Sequence, residues 1–167
     1  MSTRQDEIVA NIEAAHAELM NLIAGATSEQ WSMTGVNHPE IQRGEDEHRK
    51  VGVIVHHVAS AYATTRERGQ AWIAGETPAS LDPDRNARHE TENPDPDQAD
   101  TVRLLVASMA DLTAFARALS DQQLDAKGIF VRGEVTVAEL LGNTTPYHIR
   151  WHAGSIRATW EQKAPPP

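Results

Sequence analysis

The chain has 167 residues, 40% of them hydrophobic, no cysteine and a formal net charge of −9. That size suits one domain with its own core, and the composition excludes both a disordered chain and a membrane protein. The negative charge argues against a nucleic-acid partner. The lack of thiols excludes disulfides, thiolate nucleophiles and iron–sulfur clusters, which leaves nitrogen and oxygen as the metal ligands available.

The first helix is predicted over Thr3 to Gly25. Thr3 and Asp6 form a capping-box pattern, and Ile8, Ile12, Ala15, Leu19, Leu22 and Ile23 recur at helical spacing. Asn11, Glu13, His16, Glu18 and Asn21 interrupt this stretch, so it is neither a signal-peptide core nor a bilayer span. A cytoplasmic protein is expected. Ser28 to Trp31 reads as a short turn with an aromatic plug, and Thr34 to Gly44 as a loop. A second helix is predicted from about Asp46 to Ala74, buried along Val51, Ile54, Val55, Val58, Ala61, Tyr62, Trp72 and Ile73.

Glu76 to Asp97 carries four prolines and reads as a long polar connection, a kind of segment that is often functional. Asp95-Pro96 then starts a third helix that runs to about Leu119. A link from Ser120 to Glu134 follows, with Gly128 and Gly133 around the apolar stretch Ile129 to Val131. Thr136 and Glu139 cap a fourth helix that runs to about Trp160 and is kinked at Pro146. Strand patterns are not evident. The expectation is an all-α four-helix bundle over residues 1–163, with 164–167 as a disordered tail.

Eight histidines are present. His148 and His152 are one turn apart on the face that carries Val137, Leu141, Thr144 and Ser155. An i, i+4 imidazole pair can hold one divalent ion, although core-edge histidines bonded to backbone show the same spacing. On the second helix His57 lies at the edge of the buried arc. His56 lies nearly opposite and should face solvent or a neighbouring subunit. A third imidazole from His57 would complete a three-histidine site with open positions, as catalytic metals require. His16 reads as a core-edge histidine, with a supporting role near the metal as the alternative. His38 and His48 read as solvated. His89, in the long connection, is expected to stay clear of the metal unless that segment folds back.

Three segments resemble a known family. They are the tryptophan turn Ser28-Glu29-Gln30-Trp31, "VIVHHVASAY" from Val53 to Tyr62, and "TVAELLGNTTPYHIRWHAGSI" from Thr136 to Ile156. His57-Val58-Ala59, and His148 and His152 followed by Gly154, match the histidine motifs of the DinB/YfiT-like superfamily of metal-binding four-helix bundles. The chain departs from that pattern in the charged stretch Glu45 to Lys50, in Pro146, and in Ala153 and Ser155 around the glycine. The resemblance implies an up-down-down-up bundle, a divalent metal such as zinc or nickel on His57, His148 and His152, and a homodimer. It implies three functions in turn. The first is an S-transferase that uses a low-molecular-weight thiol on a small-molecule substrate. The second is a metal-water hydrolase, for which no nearby base is evident. The third is a stress-induced binding or dimerisation module with a structural or incidental metal, in which Trp72, Trp151 and Tyr62 serve a partner surface or simply pack the core.

Overall fold

Thr3 and Asp6 exchange both hydrogen bonds of a capping box and start helix α1, Arg4–Ile23. Its stripe Ile8, Ile12, Ala15, Leu19 and Ile23 is buried. The computed structural model describes residues 3–40, 47–78, 85–130 and 133–163. The expected tail 164–167, the start of the second helix at Asp46 and the C-terminal part of the 34–44 loop lie outside them.

Helix α2, Ser28–Ser32, is closed by its own Thr27–Gln30 capping box and seats Trp31 in the core. Helix α3, Val51–Ile73, begins later than the periodicity predicts. The residues before it pair elsewhere: the Gly35 N–H donates to Arg49 O at 2.8 Å, and the Val51 N–H donates to Met33 O at 2.9 Å. Glu47 accepts from the Arg49 N–H and guanidinium, which fixes that turn further. The 76–97 connection is not all loop, because it contains helix α4, Arg85–Glu92. Helix α5, Gln98–Ala118, is capped by Asp97, and helix α6, Asp121–Leu124, by Ser120 and Gln123.

The chain is not purely helical. Strands β1, Lys127–Phe130, and β2, Gly133–Thr136, pair antiparallel. Glycine is needed at 128, because a Cβ there would stand 2.1 Å from the Trp72 indole lying on it. Thr136 and Glu139 then cap helix α7, Val137–Glu139. A π turn, Leu140–Thr144, leads into helix α8, Thr145–Lys163. The predicted kink at Pro146 takes this form. Proline cannot donate to the preceding turn, and the helix widens just before it, with the Thr145 N–H and hydroxyl both reaching Leu140 O. A π turn carries one extra residue, so the inward arc drawn from Val137 shifts before it reaches His148.

Helices α1 and α3 each pack on α5 and α8, which places α1 and α3 on a diagonal. Contacts between side chains give the directions. Lys50 meets Asp95, Arg66 meets Asp111 at 3.7 Å and Gly69 faces Phe115, so α3 and α5 run parallel. Ile8 lies on Gly142 and Glu18 on Arg150, so α1 and α8 are parallel too. Gln5 donates to Leu119 O past the end of α5, and His57 meets His148 while Gly69 lies by Val137, so the two pairs oppose each other. This is an up-down-down-up bundle. Parallel neighbours α3 and α5 need a crossover that travels the length of the bundle, which is why residues 74–97 are so many. Across the diagonal, His16 Nδ1 lies 3.1 Å from the Tyr62 hydroxyl inside the core. His16 is thus a buried, hydrogen-bonded core histidine. Among the described residues no helix is long and apolar enough to cross a membrane.

Candidate metal centre

Three of the eight histidines converge where α3 passes α8. His57 Nε2 lies 3.2 Å from His148 Nε2, and His152 Nε2 lies 3.1 Å from the same atom. One nitrogen from each lies within 4.8 Å of the others. The helices set this up. His148 and His152 are one turn apart, and side chains on a helix tilt toward its N-terminus, so both rings lean the same way. The antiparallel passage of α3 brings His57 against the pair.

The spacing fits a common ion. Imidazole–zinc bonds of about 2.0–2.1 Å put neighbouring nitrogens about 3.3 Å apart on a tetrahedron and about 3.0 Å apart on an octahedron. The observed distances fall between these values. The donor set is all imidazole, which suits zinc and nickel. Burial is uneven: His152 is fully buried, while His57 and His148 are half-buried. The open side of the cluster is therefore the edge on which these two stand.

Trp151 stacks on His152 with centroids 4.5 Å apart and rings tilted by 33°. The same indole lines a groove of about 410 Å³ with His38, Asn143, Tyr147 and Arg150. Arg150 is held by a fork of hydrogen bonds to Glu18. Tyr62 and Trp72 are core residues, so of the three aromatics considered for a surface only Trp151 borders the site.

His38 is not solvated as expected. Its ring lies on the backbone of α8, where a Cβ at Gly154 would stand 2.0 Å from Cδ2. The glycine two residues after His152 thus admits the His38 imidazole against α8. His38 Nδ1 accepts the Glu40 N–H at 3.0 Å. His48 is exposed, with Nε2 3.3 Å from Glu90 of α4.

Two further histidines were misplaced by sequence reasoning. His89 belongs to α4, and its ring stands edge-on to His57 with centroids 5.5 Å apart. His56 is half-buried rather than solvent-facing, because α4 covers it, with His89 Nε2 at 2.9 Å from its Nδ1. Burial lowers the His56 pKa from its ordinary value. The α4 segment Arg-Asn-Ala-Arg-His-Glu-Thr-Glu has a single apolar residue. It offers no periodicity from which its place could be read.

No family model and no curated protein sequence matches the chain. Among solved structures it is similar to YfiT from Bacillus subtilis, described as a probable metal-dependent hydrolase with an unusual four-helix bundle topology. The two share 22% identity and a TM-score of 0.74, over 97% of this chain and 89% of that one. The chain has the YfiT-like four-helix-bundle fold, as its histidine segments implied.

Proposed function

We propose that this chain is a divalent-metal-dependent hydrolase of a small molecule, with His57, His148 and His152 as its metal ligands. The observation that carries this reading is the convergence of three imidazoles, with His148 Nε2 at 3.1–3.2 Å from the Nε2 atoms of the other two, on a cluster with one buried and two half-buried members. Structural zinc sites close their shell with four protein ligands, whereas catalytic ones keep a position open. Three histidines and no cysteine leave such a position. Bound zinc or nickel would supply Lewis acidity and a water with pKa near 7.

The chain's own groups have distinct tasks. His152, buried under Trp151, anchors the site. His57 and His148 carry its open edge. Trp151, whose ring lies against His152 and 6.2 Å from the His148 ring, offers an aromatic wall beside the ligands. The likeness to a protein described as a probable metal-dependent hydrolase supports this class. The test is hydrolysis of a panel of activated esters and amides by protein loaded with zinc or nickel. Activity lost in His148→Ala supports the reading, and no turnover across the panel counts against it.

The absence of cysteine favours a second reading, S-transfer from a low-molecular-weight thiol bound at the open position. An added thiol would then shift the spectrum of the cobalt-substituted protein. A cytoplasmic setting and a homodimer belong to both readings, and light scattering tests the dimer.

A further inference from the structure

Beside the triad a second pair of imidazoles meets. His56 Nδ1 lies 2.9 Å from His89 Nε2, with ring centroids 5.0 Å apart. His56 comes from α3 and His89 from α4 of the crossover, and neither belongs to the triad. We propose that His56 Nδ1 and His89 Nε2 form a second divalent-cation site, weaker than the triad and completed by water.

The first support is geometric. Two nitrogens in adjacent positions on an octahedral ion with bonds near 2.1 Å are about 3.0 Å apart, and the pair stands at nearly that distance. The pair is too close for the tetrahedral edge, so the site suits an ion that accepts six ligands and keeps several waters, such as nickel. Two protein ligands instead of three make it the weaker site.

The second support is the helix that carries His89. None of the α4 residues from Ala87 to Glu92 is buried, and only Ala87 among them is apolar. A helix of eight residues with no buried side chain from Ala87 to Glu92 is far below the length at which isolated helices persist. His89 of α4 meets His56 at its ring nitrogen and His57 edge-on, and Glu90 meets His48. A cation shared by α3 and α4 would staple the crossover beside the triad. A direct imidazole–imidazole hydrogen bond explains the distance without an ion, and it is the account to be separated.

The experiment is equilibrium dialysis of the full chain against nickel, with bound metal counted by elemental mass spectrometry. Wild type, His89→Gln, His56→Ala and His148→Ala are compared, and circular dichroism checks that each is folded. Glutamine at 89 can still hydrogen-bond His56 but is a poor nickel ligand. Wild type should saturate at two nickel ions per chain, His89→Gln and His56→Ala at one, and His148→Ala should keep the weaker ion after losing the tighter. One ion in wild type, lost in His148→Ala but not in His89→Gln, overturns the second site and leaves the triad standing. No ion in wild type overturns both.

Discussion

Helix α3 carries Gly52 in its first turn, and Trp31 of α2 lies across it. A Cβ at position 52 would stand 2.3 Å from the indole nitrogen and 2.8 Å from two ring carbons. Trp31 is 7% exposed, and its N–H donates to Pro96 O at 3.0 Å, tying α2 to the entry of α5. In an open helix interior, Gly→Ala gains about 0.5–1 kcal/mol. Here the methyl must expel the ring. Loss of a buried tryptophan costs about 3–5 kcal/mol, and its hydrogen bond about 1 kcal/mol more. Partial relaxation and the helix gain offset some of this, so Gly52→Ala should destabilise by about 2–4 kcal/mol. At about 2–4 °C per kcal/mol, Tm should fall by about 4–16 °C. Gly69→Ala on the same helix is the control. Its Cβ would meet the half-buried Phe115 ring edge at 3.2 Å, which a small ring shift relieves, so its Tm should stay close to wild type. Circular dichroism melts of both variants decide the matter. A Gly52→Ala protein that melts at or above wild type would refute the claim that Trp31 requires this glycine.

Burial lowers the His16 pKa below its ordinary 6.5. The unfolded chain therefore takes up this proton first as pH falls, so the stability is present above pH 6.5 and is lost as pH drops through the folded value. His16→Gln should flatten that limb of urea-measured stability against pH, and an unchanged slope would contradict the assignment. Thr136→Ala removes the cap shared with Glu139 and should cost about 1 kcal/mol without changing metal content. Zinc at about 100 times its Kd should stabilise wild type by about 2.7 kcal/mol, read as a higher Tm that a chelator reverses. The same addition should raise the Tm of His152→Ala far less.

The four long helices were legible because apolar residues recur at helical spacing, as Ile8, Ile12, Leu19 and Ile23 of α1 and Leu105 and Leu112 of α5 show. The three histidines were legible from the same faces: His57 stood at the edge of its buried arc, and His148 and His152 were one turn apart on one face of their helix. What escaped lacks periodicity. Strands β1 and β2 are four residues each, too short for alternation to stand out, although the β-formers Ile129 and Phe130 and the glycine at 133 were there to be read. Helix α4 has Ala87 as its single apolar residue, and its place follows from the parallel run of α3 and α5, which no local pattern encodes. His89 and the covered face of His56 were lost with it. The late start of α3 reflects backbone pairing of Arg49 and Val51 with residues 33–35, a contact between segments that a periodicity cannot see.

The central claim is that His57, His148 and His152 hold one ion. It is tested most directly by elemental mass spectrometry of zinc in wild type and the three single alanine variants after dialysis against trace free zinc, where a weaker second site stays empty. The account predicts close to one zinc per chain in wild type and loss in each variant. Wild type without zinc, or a His148→Ala protein that retains it, would contradict the account.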